Sequence, residues 1–171
     1  MIKKSVLLVL ADNDFNEVEY LTIKNGFQRG DIQFFIASDS ENLCIGNNGI
    51  RVKPDIKFFN IRPNNFCGII ISGGSGIRNY WTNASLIDIV KKFNVSQKIV
   101  ASICSAPVIL AKAGLLKAVE STCFPGDRKE LEKEGAIYID RPVVQSKNII
   151  TAQSPSAAAD FVNIFINNII N

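Results

Sequence analysis

One cysteine, Cys104, has the residue type and the sequence position for nucleophilic chemistry. It lies in the segment IVASICSAPVIL, residues 99–110, between an apolar run that ends at Ile103 and a second apolar run that follows Pro107. A residue between a buried strand and the first turn of a helix lies on a sharp turn, so its side chain projects over the sheet. The amides and the positive dipole end of that helix favour a negative charge and should lower the pKa of the thiol. We therefore predict that Cys104 is a reactive thiolate.

The alternative is that Cys104 is a packing residue, because free cysteine often behaves as a small buried hydrophobe. We expect packing roles for the other three cysteines, Cys44, Cys67 and Cys123. The sequence has no C-x-x-C spacing and no histidine, so no zinc or other metal site is predicted. No cofactor is predicted either. Widely spaced cysteines without an export signal indicate reduced thiols, and hence a cytoplasmic protein.

A pair of glycines could complete a site around this thiol. Gly73 and Gly74 directly follow the apolar run GIIIS at 68–72. Alone, such a pair is typical of an ordinary turn after a strand. Beside the cysteine, Gly73 would permit a close backbone approach, and the N–H of Gly74 would face the N–H of Ser105. Two such donors would form an oxyanion hole. The spacings of phosphate-binding loops, G-x-G-x-x-G and G-x-x-x-x-G-K-[ST], are absent.

The elements that would position these residues alternate between strands and helices. Nearly continuous apolar runs at 5–11, 31–37, 68–72 and 99–103 are typical of strands buried on both faces of a parallel sheet. Helices are predicted after the first strand and over 85–93, 106–113, 127–134 and 157–170, and hairpins within 44–52 and 143–152. The prediction is one α/β domain, residues 1–171, with a doubly wound, mainly parallel sheet covered by helices on both faces.

The first helix carries a second set of candidate residues. Asp14 or Asn16 can cap its N-terminus, and Val18, Leu21 and Phe27 are predicted to form its inner face.

Composition and charge exclude several classes of protein. The net charge of +3 comes from scattered basic residues without a basic stripe, so no nucleic-acid partner is expected. The N-terminal MIKKSVLLVLADND imitates a signal peptide, but its apolar run is too short and is followed by Asp12 and Asp14. No apolar segment approaches the roughly 20 residues of a membrane span, so no membrane association is expected.

Three segments together resemble a known family. The elbow ASICSAP, the upstream IIISGG and the first-helix segment FNEVEY resemble the three signature blocks of the ThiJ/PfpI superfamily. The resemblance extends over the whole chain, including NNGIRVKPD and ITAQSPSAAADF. It implies a flavodoxin-like α/β fold, usually a homodimer, with the elbow cysteine as the reactive group.

The resemblance also implies a role for each site residue. It places the nucleophile on Cys104, the oxyanion amides on Gly74 and Ser105, and the carboxyl partner on Glu19, with Glu17 as the competitor for that last role. Glu19 would be a protonated acid that donates a hydrogen bond to the thiolate, which requires a raised pKa in a pocket of low dielectric. The two groups would then titrate as a pair.

Histidine is missing where members of this superfamily carry it. Peptidase-like members have histidine directly after the cysteine, where this chain has Ser105, and others have it before a later proline, where this chain has Phe124 before Pro125. A Cys-His peptidase or amidotransferase is therefore excluded.

Two functions remain open, together with an inert scaffold. The first is attack on small reactive carbonyls or glycated adducts, of the glyoxalase or deglycase type, in stress protection. The second is a non-catalytic, cysteine-based sensor of oxidative stress or a redox chaperone. In the loop 77–83 we expect Trp81 to pack and Arg78 to be solvated, although Arg78 could attract an anionic ligand.

Overall fold

The computed structural model describes residues 5–170, so the ends of the predicted domain 1–171 and the MIKK of the leader-like segment lie outside the described residues. Within that range the chain forms twelve strands, five α-helices and five short 3-10 helices. The strands are β1 Ser5–Val9, β2 Asn13–Phe15, β3 Gln33–Ser38, β4 Cys44–Gly46, β5 Arg51–Val52, β6 Ile56–Lys57, β7 Gly68–Ile71, β8 Ile99–Ile103, β9 Glu120–Ser121, β10 Ile137–Tyr138, β11 Val143–Ser146 and β12 Ile149–Ala152. The helices are α1 Glu17–Arg29, α2 Ala84–Val95, α3 Pro107–Lys112, α4 Arg128–Lys133 and α5 Ala158–Ile170.

Seven of these strands form the central sheet, in the order β11-β12-β8-β7-β1-β3-β6. All neighbours in it are parallel except β11 and β12. The order reverses at β1, which lies between β3 and β7, as in flavodoxin-like sheets. Ligands of such sheets bind beyond the carboxyl ends of the strands near this reversal, which is where β7 and β8 deliver the glycine pair and Cys104.

Helices cover both faces of the sheet, as predicted. Along β1, Val6 and Leu8 pack with α1 and α5, whereas Leu7 and Val9 pack with α2 and α3. All four side chains are fully buried. Because both faces are covered, the strand needs an unbroken apolar run rather than an alternating one. Each such side chain contributes about 2 kcal/mol of burial energy.

The start of α1 agrees with one prediction and corrects another. Asn16 is the N-cap, and its side chain accepts a hydrogen bond from the Glu19 N–H at 3.0 Å. The predicted inner face is wrong for Val18 and Leu21, which are 55% and 40% exposed, and is confirmed for Phe27, which is buried. Two glutamates, Glu17 and Glu19, are buried instead, together with Tyr20, Ile23 and Phe27. The apolar pattern could not show this, because the first buried positions of the helix carry carboxyl groups.

The predicted hairpins form antiparallel strand pairs, β4 with β5 and β11 with β12. At the turn of the first one, Gly49 has a φ of +96°, a conformation that glycine adopts readily. No helix among residues 5–170 is long and apolar enough to cross a membrane.

Candidate active site

Cys104 lies on the predicted elbow, between the end of β8 at Ile103 and the start of α3 at Pro107. Its φ is +62°, a left-handed conformation that costs a non-glycine residue about 1 kcal/mol or more. Backbone hydrogen bonds hold it there: its N–H donates to the Ala152 carbonyl at 2.9 Å, and its carbonyl accepts from the Phe124 N–H at 2.7 Å. Cys104 is 8% exposed, so the site is nearly closed.

Glu19 brings a carboxyl group to this thiol, as the family resemblance implies. Its side chain is fully buried, and Oε2 accepts hydrogen bonds from the Gly73 N–H at 2.6 Å and from the Ser72 hydroxyl at 3.5 Å. The carboxyl group also interacts with the Cys104 side chain. Oε1 is buried without an N–H or O–H donor among residues 5–170. When Glu19 is protonated, the proton is therefore expected on Oε1, because Oε2 already accepts two hydrogen bonds.

The two glycines are required by space and by conformation. A Cβ at Gly73 would lie 2.5 Å from the Cys104 Cβ and 2.8 Å from Glu19 Oε2. Gly74 has a φ of +115° and forms an antiparallel bridge to Phe15. The loop after β7 thus packs directly against both the elbow and the segment that leads into α1.

The two predicted amides act on the thiol. The backbone N–H groups of Gly74 and Ser105 each interact with the Cys104 side chain in the sense that lowers its pKa. Each predicted site residue therefore lies in one cluster at the carboxyl edge of the sheet.

The ionisation of the pair differs from the prediction for one of its members. Burial raises the pKa of Glu19 from 4.5 to about 7, although the Gly73 hydrogen bond opposes this. That direction agrees with the prediction. Burial and then the Glu19 charge raise the pKa of Cys104 from 9.0 to about 12, and the two amides offset only part of this. The predicted thiolate with a lowered pKa is therefore wrong for the free protein.

The reason for this difference is that desolvation outweighs the helix. Helix α3 runs from Pro107 to Lys112 and has only six residues, instead of the eight expected over 106–113. A short helix gives a weak dipole, whereas a nearly closed site penalises any thiolate. Around neutral pH the pair holds a neutral Cys104 thiol and a Glu19 carboxyl group close to its midpoint.

Glu17, the competitor for the carboxyl role, lies elsewhere. Its Oε1 accepts hydrogen bonds from the backbone N–H groups of Asn48 and Ile50 at 2.8 Å and 2.7 Å. Its own N–H donates to the Asn47 side chain at 3.1 Å. Glu17 therefore anchors the first hairpin, and Glu19 alone reaches the thiol.

Sequence reasoning missed how the loop 76–81 is tied to the elbow. The expected packing of Trp81 is confirmed, since its ring lies against the core. In addition, Trp81 Nε1 donates to the Ser105 carbonyl at 2.8 Å. Arg78, expected to be solvated, pairs with the buried Asp127, its Nη2 lying 3.0 Å from Oδ1. These partners are 24 and 49 residues apart in sequence, so no local pattern could link them.

No group of three or more histidine, cysteine, aspartate or glutamate side chains within residues 5–170 could hold a metal ion. The structure thus defines a class of protein: a flavodoxin-like α/β fold whose elbow carries a cysteine beside a buried carboxyl group.

Comparison with known proteins gives this class a name. The model of the DJ-1/PfpI family matches residues 4–168, and the chain belongs to that family. An uncharacterized protein of Methanocaldococcus jannaschii is 37% identical over 164 residues, which covers 94% of this chain and 80% of the relative. The deglycase PfpI of Pyrococcus furiosus is 29% identical over 160 residues, covering 94% of this chain and 96% of the relative. The crystal structure of a ThiJ/PfpI domain protein from Brachyspira murdochii has a TM-score of 0.93 at 28% identity, covering 95% and 94% of the two chains.

These matches confirm the ThiJ/PfpI resemblance and the flavodoxin-like α/β fold predicted from the sequence. Relatives named as deglycases are joined by a glutathione-independent glyoxalase of Caenorhabditis elegans, 28% identical over 159 residues, which cover 93% of this chain and 85% of the relative.

Proposed function

We propose that the protein acts on small reactive carbonyls or glycated adducts, in a glyoxalase or deglycase type of reaction that protects the cell from carbonyl stress. One observation carries the proposal: the fully buried Glu19 carboxyl group, whose pKa is raised to about 7 by burial, interacts with the side chain of the elbow cysteine beside Gly73. A group with a pKa near the working pH is the most effective proton acceptor and donor. The names of the relatives support the same type of substrate.

In the first step the Cys104 sulfur attacks the aldehyde carbon. The thiol proton moves to the Glu19 carboxylate as the carbon–sulfur bond forms, so a free thiolate is never required. The electron pair of the carbonyl double bond moves to its oxygen, which accepts hydrogen bonds from the Gly74 and Ser105 amides. Glu19 then returns the proton to that oxygen, and the product is a hemithioacetal.

For an α-oxoaldehyde such as methylglyoxal, a second proton transfer completes the isomerisation. Glu19 removes the proton from the carbon that carries sulfur and returns it to the neighbouring carbonyl carbon, while the hydroxyl proton on the first carbon moves to the oxygen of the second. The product is a thioester of a hydroxy acid, formed without any external oxidant or reductant. Water then hydrolyses the thioester, which releases lactate and restores the thiol.

Methylglyoxal turnover, followed as lactate, tests this function. We expect Cys104→Ser and Glu19→Gln each to lower kcat/KM by about 100-fold or more, because they remove the nucleophile and the proton carrier. Cys67→Ser is the matched control, since Cys67 is a partly buried cysteine outside the site. Wild-type activity in Cys104→Ser would refute the mechanism.

The second candidate, an oxidative-stress sensor, is supported by the Gly74 and Ser105 amides, which favour negative charge on the Cys104 side chain. Hydrogen peroxide would convert the Cys104 thiol to sulfenic acid and water, and a second molecule of hydrogen peroxide would convert the sulfenic acid to sulfinic acid and water. The Gly74 and Ser105 N–H groups would hold the added oxygen atoms. Absence of lactate together with a stable mass gain of one or two oxygens at Cys104 would favour this function.

Two further parts of the proposal concern assembly and location. The homodimer implied by the family resemblance is checked by sedimentation equilibrium, and the cytoplasmic location inferred from the cysteines is checked by cell fractionation.

A further inference from the structure

Arg78 is held beside the candidate active site by an ion pair with a buried carboxylate. Its Nε lies 3.2 Å from Asp127 Oδ1, and its Nη2 lies 3.0 Å from Oδ1 and 3.2 Å from Oδ2. The Asp127 side chain is 7% exposed, whereas that of Arg78 is 41% exposed. The guanidinium group is therefore fixed on one side and open to solvent on another.

Contacts on both sides connect Arg78 to the elbow. Its guanidinium carbon lies 5.8 Å from the ring centroid of Phe124, and the Phe124 N–H donates to the Cys104 carbonyl at 2.7 Å. Three residues after Arg78, Trp81 donates to the Ser105 carbonyl. Arg78 is thus linked to the Cys104 backbone through Phe124, and the segment that carries it is linked to the Ser105 backbone through Trp81.

The ion pair leaves part of the guanidinium group available. Asp127 occupies Nε and Nη2, and Nη1 has no acceptor among residues 5–170. A guanidinium group is planar and matches the geometry of a carboxylate. Since Asp127 already fixes the side chain, binding a second carboxylate costs little additional side-chain entropy.

We propose that Arg78 recognises a carboxylate on the carbonyl substrate, so that the preferred substrates are α-oxoaldehydes with a carboxylate several bonds from the aldehyde. This rests on the proposed carbonyl chemistry of Cys104. The separation follows from the contacts, because Phe124 lies between Arg78 and the Cys104 backbone. Asp127 cancels part of the charge, so the preference is modest, about fivefold, as for an exposed ion pair.

Turnover of two α-oxoaldehydes tests this assignment. Dioxovalerate carries a carboxylate and is converted to hydroxyglutarate, whereas methylglyoxal is uncharged and is converted to lactate. We expect Arg78→Met to lower the ratio of kcat/KM for dioxovalerate over methylglyoxal about fivefold, through KM, and Arg78→Lys, which keeps the charge but not the planar fork, to restore only part of it. Arg128→Met is the matched control, because Arg128 also pairs with a carboxylate, Glu132 at 2.8 Å, and faces the ring of Tyr138.

A second measurement does not depend on turnover. In a Cys67→Ser background, the rate of reaction of the Cys104 thiol is measured with two reagents. Dithiobis(nitrobenzoate) carries carboxylates, and dithiodipyridine is uncharged. We expect Arg78→Met to lower the ratio of the rate with dithiobis(nitrobenzoate) to the rate with dithiodipyridine at Cys104. Arg128→Met should leave this ratio unchanged. The double variant Arg78→Met/Asp127→Asn removes both charges and avoids leaving a buried carboxylate unpaired, in case the single variant folds poorly.

The outcomes separate the two proposals. If wild type turns over neither aldehyde but the reagent ratio falls in the Arg78 variants, the carbonyl function is refuted and the anion recognition stands. An unchanged reagent ratio in both Arg78→Met and the double variant overturns the role of Arg78, whatever the turnover shows.

Discussion

Replacing Glu19 by glutamine should stabilise the protein at neutral pH, although it removes a group that we assign to the reaction. The pKa of Glu19 is about 7 in the folded protein against 4.5 for the ordinary side chain. One pKa step corresponds to about 1.4 kcal/mol, so the burial of Glu19 is worth about 3 kcal/mol of pH-dependent stability. The raised pKa means that the folded state binds the proton more tightly than the unfolded state does.

The sign of the effect follows from this difference in proton binding. The stability contributed by the Glu19 proton is fully present below pH 4.5 and is lost as the pH rises to about 7. Glutamine has no proton to lose, and its amide oxygen can keep the hydrogen bond from Gly73. The free energy of unfolding of Glu19→Gln minus that of wild type should therefore rise by about 3 kcal/mol between pH 4.5 and pH 8.

Urea unfolding at a series of pH values measures this difference, with the midpoint multiplied by a common m value. The control is Glu17→Gln on the same helical turn, whose Oε1 accepts two backbone hydrogen bonds. Glu17→Gln weakens these two hydrogen bonds and should lower the free energy of unfolding by about 1 to 2 kcal/mol. The fall in stability between pH 4.5 and pH 8 that we assign to Glu19 should remain in this variant. Parallel pH curves for Glu19→Gln and wild type would refute the buried, proton-binding carboxyl group.

Two further changes probe the geometry around the thiol. Gly73→Ala places a Cβ 2.5 Å from that of Cys104, so we expect the free energy of unfolding, measured in urea, to fall by about 3 kcal/mol. The control is Gly49→Ala, whose Cβ meets nothing within 4 Å and which should lower the free energy of unfolding by about 1 kcal/mol. Equal losses for the two variants would contradict the close approach at Gly73. Trp81→Phe removes the hydrogen bond to the Ser105 carbonyl, which helps to position the Ser105 amide. We therefore expect kcat for methylglyoxal to fall about tenfold with little change in KM. An unchanged kcat would show that the amide of Ser105 is positioned by other contacts.

The parts of the site that are continuous in sequence could be predicted from it. A buried strand, Cys104 and a proline-initiated helix follow one another directly, so the elbow and its neighbours could be placed without any knowledge of tertiary contacts. The glycine pair after β7 is equally local. The parallel sheet brings the two segments together, because adjacent parallel strands end at the same edge.

Roles that depend on distant partners could not be predicted in this way. Glu17 and Glu19 have the same residue type and nearly the same position, and only the hairpin at 44–52 and the elbow distinguish them. Periodicity failed on α1 for the same reason, since burial of a carboxyl group requires partners that the helix does not contain. The pKa of Cys104 was misjudged because the depth of burial and the length of α3 are set by the whole fold.

The hydrogen bond from Trp81 to the elbow makes this side chain an intrinsic fluorescence probe of the site. The chain contains one tryptophan, and its indole N–H is bonded to the carbonyl of the residue that follows the thiol. Indole emission responds to changes in hydrogen bonding and polarity, so an adduct on the sulfur that displaces the Ser105 peptide should alter fluorescence without any added label. Single-turnover mixing experiments can therefore follow formation and decay of the covalent intermediate directly in the native chain.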